Sequence, residues 1–344
     1  MKKSLVALAV LGAFAGSASA QSSVTIYGVV DLSLAKTNNT GAGFAPNPGA
    51  PANNAYTLQQ STTSRLGFRG TEDLGGGLSA QFQIEHRFNP DTGAQNAAGS
   101  FWNGRSFVQL TSAGVGSVYL GREYNPAFWI QLKSDPFGND GVGQSGVTAT
   151  FAGYFPPDTP VNGNATAASA RTSNTIGFKS ASFGGLTFQG ALSLSENTQQ
   201  GRGMGLNVEY TAGPLYAGFG WETIKDGTQD GTGLINAAVH YDLGVVKLMG
   251  YYARSETRTA GTTRGENTNH AWQLSATAPL GGGLVKALFY KVDPRFANNT
   301  RTKLGLGYNY PLSKRTNLYA DMGLARADNL KNNNAFAFGV RHYF

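Results

Sequence analysis

Hydrophobic and polar residues alternate along most of the 344-residue chain. In the first such stretch, Val24, Ile26 and Leu34 share one face, whereas Thr25 and Ser33 share the other. The same alternation recurs in residues 78–88, 186–195, 206–211, 303–310 and 335–344. A period of two predicts β-strands, because successive side chains of a strand point to opposite faces. The pattern therefore predicts an all-β protein whose strands have one apolar and one polar face.

Two kinds of connection separate the predicted strands. Seven are short and contain Gly or Pro, which favour tight turns: residues 73–77, 113–116, 183–185, 212–214, 242–244, 279–283 and 311–315. The connections between them are longer and more polar, as in residues 36–56 and 257–267. Seven tight turns that join successive hairpins imply eight hairpins and hence about 16 antiparallel strands. Short turns at one end and long loops at the other are typical of a transmembrane β-barrel.

Residues 125–170 interrupt this rhythm with a connection much longer than the others. We predict that this segment is the third long loop, that it follows the fifth strand, and that it has no regular structure. Such a loop is unusual in a compact domain unless it has a function. A barrel of about 16 strands encloses an aqueous channel, because the diameter grows with the number of strands. We therefore expect the loop to serve the channel.

Composition narrows the class of protein further. Charged residues make up 14% of the chain, and there is no Cys. The chain therefore has neither disulfides nor thiolate metal ligands, and its four His show no metal-ligand spacing. The formal charge of +7 comes from basic residues scattered singly, which argues against nucleic-acid binding. No Ser–His–acid set can be argued, so we expect a protein that is not an enzyme and has no cofactor or metal.

Residues 1–20 have the features of a signal peptide. Two lysines precede an apolar segment at residues 5–14, and Ala18-Ser19-Ala20 fits a cleavage site. The mature chain, residues 21–344, is predicted to form one domain. An exported β-protein is either a soluble sandwich or an outer-membrane barrel. The barrel is favoured because no linker divides the chain, and because aromatic residues such as Trp272 lie near strand ends, where they form interfacial girdles.

Several segments resemble the Gram-negative general porins, in particular those of β-proteobacteria. The resemblance extends over the whole mature chain. Its clearest marks are SVTIYGVVDLSL at residues 23–34, SRLGFRGTEDLGGGLSAQFQIE at residues 64–85 and FVQLTSAGVGSVYLGREYNPAF at residues 107–128. The resemblance implies an outer-membrane homotrimer of 16-stranded antiparallel barrels, each with its third external loop folded inward as a constriction. It also implies contacts with outer-membrane lipid and lipopolysaccharide.

In such porins, basic residues on the channel wall face acidic residues on the constriction loop. The resemblance implies both groups in this chain: a basic wall of Arg65, Arg69, Arg122 and Arg171, and acidic loop residues Asp135 and Asp140. Alternation independently supports an inward orientation for Arg65, Arg69 and Arg171, whereas Arg122 shares the parity of the apolar Leu120. Pro136 stands where many relatives have Glu, so we expect a net positive constriction and a preference for anions.

The predicted function is a water-filled channel for passive diffusion of ions and small hydrophilic solutes across the outer membrane. The alternative is a substrate-specific channel for a sugar or an organic anion. Its specificity would lie in loop residues such as Phe128, Trp129, Tyr154 and Phe155. Phe344 is predicted to face lipid at the end of the last strand. The resemblance further implies that this terminal aromatic residue marks the chain for assembly in the outer membrane.

Overall fold

Strands account for nearly all of the regular structure. The computed structural model describes residues 23–38, 55–97, 99–145, 170–194, 202–226, 230–256, 268–295, 300–328 and 332–344, so the predicted signal peptide lies outside the described residues. The strands are β1 (Ser23–Thr37), β2 (Tyr56–Gln59), β3 (Ser64–Gly75), β4 (Leu78–Phe88), β5 (Ser106–Ser112), β6 (Gly116–Tyr124), β7 (Arg171–Ser180), β8 (Leu186–Ser193), β9 (Arg202–Ala212), β10 (Leu215–Lys225), β11 (Gly233–Asp242), β12 (Lys247–Glu256), β13 (Thr268–Leu280), β14 (Gly283–Pro294), β15 (Arg301–Pro311), β16 (Thr316–Ala327) and β17 (Asn333–Tyr343). Helix α1 (Pro126–Ser134) follows β6.

Antiparallel pairing closes these strands into a barrel. Each strand from β3 to β17 pairs with the next, and β1 pairs with both β3 and β17. The seam between β1 and β17 runs from Val29 opposite Tyr343 to Thr37 opposite Ala335. The four-residue β2 pairs with the end of β1, so sixteen long strands form the wall. The predicted 16-stranded antiparallel barrel is confirmed. Closure leaves no unpaired sheet edge, which a membrane-spanning wall requires.

The connections alternate as the sequence predicts. All seven predicted tight turns join consecutive strands, from the β3–β4 hairpin to the β15–β16 hairpin. Gly281 and Gly282 in the β13–β14 turn have φ values of 57° and 82°, which glycine adopts without steric cost. Residues 125–170 follow β6, which is the fifth long strand. The position predicted for the long loop is therefore confirmed.

The strands have two distinct faces. Large apolar side chains are exposed at alternate positions, and we call this the outer face. Leu274 on β13 and the directly opposite Phe289 on β14 are 68% and 48% exposed. The adjacent residues Gln273 and Ser275 point to the other, inner face and are buried. Exposed apolar residues in such an alternation fit a wall that contacts lipid. Within the described residues, no helix has both the length and the apolar character needed to cross a membrane.

The prediction that the long loop has no regular structure was wrong at its start. Helix α1 begins there, with Asn125 as its N-cap and Pro126 in its first turn, where the missing N–H costs no hydrogen bond. Its buried residues include three consecutive positions, 126–128, so the helix has no one-sided apolar stripe. Sequence periodicity detects a helix through such a stripe, which explains why α1 was missed.

Candidate functional site

Two carboxylates on the inner face of β3–β7 each contact two basic side chains. The first is Glu85 on β4, which is 2% exposed. Arg87 Nε lies 3.0 Å from Glu85 Oε1, and Arg65 Nη1 lies 3.9 Å from Glu85 Oε2. The Tyr27 hydroxyl donates to Oε2 at 3.2 Å. The register explains this cluster, because Arg65 lies directly opposite Arg87 on the same face as Glu85. The predicted wall residue Arg65 thus belongs to a buried ionic network.

The second carboxylate, Glu123 at the end of β6, is fully buried. Arg105 Nε donates to Glu123 Oε1 at 2.7 Å, and a second Arg105 nitrogen contacts Oε2. Lys179 Nζ lies 2.7 Å from the same Oε2. The Arg105 guanidinium also lies over the rings of Phe107, at 5.0 Å, and Trp129, at 5.7 Å. One carboxylate therefore holds two cations beside an aromatic ring from α1.

Arg171 joins the first cluster through an aromatic ring. It lies directly opposite Tyr124 in the β6–β7 pair, and its guanidinium is 4.9 Å from the centre of the Tyr124 ring. Arg87 Nη2 donates to the Tyr124 hydroxyl at 2.8 Å. Five basic groups on this part of the wall thus surround two carboxylates, which leaves an excess of three positive charges: Arg65, Arg87, Arg105, Arg171 and Lys179 against Glu85 and Glu123.

The other two predicted wall residues lie elsewhere. Arg69 is on the inner face of β3, nearer the tight turns, where it is exposed and lies 5.3 Å from the centre of the Tyr27 ring. Arg122 has the parity of the outer-face residue Leu120. Its guanidinium contacts the carbonyl oxygens of Asn103 and Gly104, both at 3.2 Å. These contacts tie Arg122 to the chain just before β5.

Helix α1 packs against the inner face of the opposite part of the wall. Small and aromatic residues line this surface and form a buried cluster with Ala127, Phe128 and Ile130 of the helix: Tyr216, Leu234, Ala238, Tyr251, Ala253, Ala271, Leu288, Tyr290, Val292 and Ala325. Lys133 at the last turn forms an ion pair with Glu209 of β9. This part of the inner face is therefore a packed core, although alternation predicted polar residues facing water there.

The chain after α1 makes a tight turn organised by Asp135. The Asp135 carboxylate accepts hydrogen bonds from the backbone N–H groups of Phe137 and Ser145, both at 2.8 Å, and from the Ser145 hydroxyl at 2.9 Å. Burial raises the pKa of Asp135 above its ordinary value, and these hydrogen bonds oppose the rise. Asp135 is 5% exposed. The predicted acidic residue therefore stabilises the loop from within.

Asp140 is the loop acid that lies near the basic wall. It is partly buried, and burial raises the pKa of its carboxyl. The positive charges of Arg65, Arg341 and Arg87 oppose this rise. The backbone nearby is tied to the barrel, because Gly141 N–H donates to the Ser61 carbonyl at 3.0 Å. Of the two predicted acidic residues, Asp140 is thus the one whose carboxyl is influenced by the positive charge of Arg65.

Another ion pair lies beside the contact between Gly141 and Ser61. Asp31 on β1 is fully buried and lies 2.7 Å from Arg341 Nε on β17. Its other oxygen accepts hydrogen bonds from Ser61 N–H at 2.8 Å and from the Tyr319 hydroxyl at 2.6 Å. Sequence reasoning did not single out these partners, nor Glu85, Glu123 and Lys179. The available signal was strand parity, because those on strands lie at inner-face positions.

Residues 142–143 of the loop lie against glycines of β15 and β16. Gly305 and Gly323 are directly opposite each other. The backbone of Val142 and Gly143 lies so close that a Cβ at either glycine would collide with it. A contact between two backbones needs positions without side chains. These glycines let residues 142–143 approach the wall closely.

Metal binding finds no support in the structure. Within the described part of the chain, no group of three or more His, Asp or Glu side chains is close enough to hold an ion. The four His lie on separate strands, and His240 is hydrogen-bonded to Ser134 at the end of α1.

A closed, lipid-facing barrel with a charged inner face and a loop segment packed on that face defines an outer-membrane diffusion channel. The Gram-negative porin family model matches residues 7–330, and the chain belongs to this family. Outer membrane porin protein 32 of Delftia acidovorans is 36% identical over 99% of this chain and 93% of its own length. An outer membrane porin of Bordetella pertussis is 28% identical over the full length of both chains.

Among solved structures, the chain is similar to an anion-selective porin from Comamonas acidovorans. The TM-score is 0.80 at 28% sequence identity, and the match covers 94% of this chain and all of the other. The protein is therefore a porin of the Gram-negative outer membrane, through which ions and small hydrophilic solutes diffuse passively. Its family is one of channels rather than of enzymes.

Proposed function

We propose that this porin prefers anions and that residues 125–145 fold inward to form its constriction. The observation that carries the proposal is that Glu85 and Glu123 each contact two basic side chains. With Arg171, the clusters have three more positive than negative charges. A fixed positive field in a narrow passage raises the local concentration of anions. The anion-selective porin similar to this chain supports the same conclusion.

The proposed constriction lies between the ionic wall and the segment that begins with α1. Support comes from the contacts of α1 with β8–β12, of Gly141 with Ser61, and of residues 142–143 with β15 and β16. Of the loop acids, Asp135 is engaged within the loop, which leaves Asp140 to face Arg65. One loop carboxylate does not balance the wall. We assign Arg65, Arg87, Arg105, Arg171 and Lys179 to the basic side, Arg69 to its approach, and Arg122 to holding the external rim.

The reversal potential tests the charge preference. Purified channels in a planar bilayer, under a KCl gradient at low ionic strength, should give a reversal potential near the chloride equilibrium potential. Low salt is needed because the Debye length is about 10 Å at 0.1 M, so a higher concentration screens the wall. A reversal potential near that of potassium would contradict the anion preference, while leaving the assignment as a porin unchanged.

We also propose that three copies assemble with their β1–β7 sides in contact, after removal of a signal peptide at residues 1–20. Interfacial Tyr and Trp mark lipid-facing walls. Among the described residues of strands β1 to β8, the outer face has one such side chain, Tyr56 of β2, whereas from β9 onward it has seven: Tyr210, Trp221, Tyr241, Tyr252, Trp272, Tyr308 and Tyr310. Most outer positions of β1 and β3–β7 have aliphatic or Phe side chains. A trimer that resists dissociation in detergent at room temperature is expected on gels, and a monomer under all conditions would contradict it.

Phe344 is assigned to barrel closure and to outer-membrane assembly. Its backbone exchanges two 3.1 Å hydrogen bonds with Gly28 of β1, and its ring lies over Gly28 on the outer face. Phe344→Ala should therefore reduce the yield of assembled trimer in cells. Refolding of the purified variant from denaturant separates the two roles, because an assembly signal read by the cell would be dispensable in that experiment.

A second candidate is a channel specific for an organic anion. The observation that favours it is the partly exposed Trp129 beside Arg105, which together could hold an aromatic or apolar group and a carboxylate. Phe128 is buried against the wall, and Tyr154 and Phe155 lie outside the described residues. Concentration-dependent block of chloride current by an aromatic carboxylate, but not by acetate, would favour this candidate.

A further inference from the structure

Helix α1 is held at its first turn by hydrogen bonds to its backbone. Ala127 N–H donates to Glu222 Oε1 of β10 at 2.5 Å. The amide of Asn207 donates to the Pro126 carbonyl at 2.7 Å, and the amide of Asn236 donates to the Ala127 carbonyl at 2.9 Å. Three adjacent strands therefore bind the same turn without contacting a polar side chain of the helix.

The last turn is held in the same way. Gln273 Nε2 and Ser275 Oγ of β13 donate to the Ser134 carbonyl, at 2.5 and 3.0 Å. His240 Nε2 and the Ser134 hydroxyl are 2.9 Å apart. These groups satisfy part of the backbone that a helix leaves unpaired at its ends. Apolar packing between the two ends adds stability but tolerates sliding, whereas the hydrogen bonds require one register of the helix on the wall.

Glu222 is unusual among these groups because it is a buried acid. It is 2% exposed, and its Oε2 has no hydrogen-bond partner within the described residues. A carboxylate oxygen in that state is costly, so packing alone does not explain Glu222. Its Oε1 accepts one of the N–H groups that a helix leaves unpaired at its N-terminus. Gly220, two residues earlier on the same face, leaves room for Ala127 to approach.

We propose that Glu222 is the positioning residue that fixes the first turn of α1 against the barrel wall. This inference rests on the proposed function only in its consequence, namely that a fixed α1 gives the channel one width. The group required at position 222 is a hydrogen-bond acceptor of the right length. Gln should therefore replace Glu222, whereas Ala should not, because Ala leaves Ala127 N–H unpaired.

The test compares the wild type with Glu222→Gln and Glu222→Ala, with Glu72→Ala as a control that removes an exposed acid remote from α1. Hydrogen exchange with mass spectrometry on trimers in detergent follows the peptide containing residues 126–134. We expect exchange about tenfold faster in Glu222→Ala and unchanged within about twofold in Glu222→Gln and Glu72→Ala. Exchange in the β3–β6 strands should not change in any variant.

Single-channel conductance separates this proposal from the constriction assignment. Glu222→Ala should show several conductance levels, whereas the wild type and Glu222→Gln should show one. Faster α1 exchange with an unchanged conductance distribution would support the role of Glu222 and refute the constriction. Equal exchange in all variants, or equal acceleration in the Gln and Ala variants, would overturn the role of Glu222. If Glu222→Ala yields no trimer, Glu222→Leu is compared with Glu222→Gln, and wild-type exchange in the Leu variant would overturn it.

Discussion

The two halves of the inner wall differ in composition, although both follow the same strand alternation. From β3 to β7 the inner face has charged residues arranged around Glu85 and Glu123. From β10 to β16 it has Ala, Leu and aromatic residues that are as buried as a soluble core. The difference follows the contact partner, because the second half packs against α1 and the residues that follow it, including Phe137. An inward position in this barrel can be apolar where protein, rather than water, covers it.

The halves also differ in how they tolerate change. Buried charges depend on their partners, so the loss of one member leaves the others uncompensated. A packed surface depends on shape, so an added methyl group matters more than a lost charge. Each half should therefore be sensitive to the kind of substitution that the other half accepts.

The largest effect is expected from Glu123→Gln in the ionic half. The substitution leaves Arg105 and Lys179 without a shared counter-charge, and the loss of one partner of a buried ion pair costs about 3 kcal/mol. The temperature at which the trimer dissociates on gels should fall, and the anion preference should rise. Glu209→Gln is the matched control, because Lys133 there is half exposed and remains solvated. An unchanged dissociation temperature would show that the carboxylate is dispensable.

A somewhat smaller effect is expected from Gly220→Val in the packed half. A Cβ at Gly220 would lie 2.7 Å from the Ala127 Cβ, and overpacking of this kind costs about 2 kcal/mol. We expect a lower dissociation temperature, or a displaced α1 with a different conductance. Gly190→Val is the control, since a Cβ at Gly190 meets nothing within 4 Å. Similar behaviour of the two valine variants would contradict the shape dependence of this half.

Strand parity predicted the barrel and the inward orientation of a few basic residues, because it depends on one local rule. The seven tight turns implied sixteen strands, and the alternation predicted that Arg65, Arg69 and Arg171 lie on the inner face. The alternation also places Arg122 on the same face as the apolar Leu120. The packed half was not predictable in this way. Whether an inward Ala faces water or a helix depends on where a distant loop lies, and α1 has no apolar stripe to reveal it.

A third prediction concerns charge rather than stability. Removal of two cations from the ionic half, in Arg65→Gln/Lys179→Gln, should reduce the chloride-to-potassium permeability ratio about fivefold. This corresponds to about 1 kcal/mol, the scale of one unit charge at 4 Å in water. Lys291→Gln removes a cation from the outer face of β14 and should leave the ratio unchanged. If neither variant changes the chloride-to-potassium permeability ratio, the ionic clusters do not face the path of the ions.

The smallest effect is expected from pH, through Asp140. Burial raises the pKa of this carboxyl above the ordinary 3.8, so it takes up a proton at a higher pH than an exposed aspartate. Protonation removes the loop charge that faces Arg65, and the constriction becomes more positive as the pH falls. The anion preference should therefore increase on acidification, by less than about twofold, since one partly solvated charge is involved. Asp140→Asn should have, already at neutral pH, the anion preference that the wild type reaches only at acidic pH. Its anion preference should also change less with pH. Two results would contradict this role of Asp140: an anion preference that falls on acidification, or an Asp140→Asn variant whose anion preference changes with pH as much as that of the wild type. In either case the titrating group would lie outside the loop, and Asp140 would be an ordinary solvated residue.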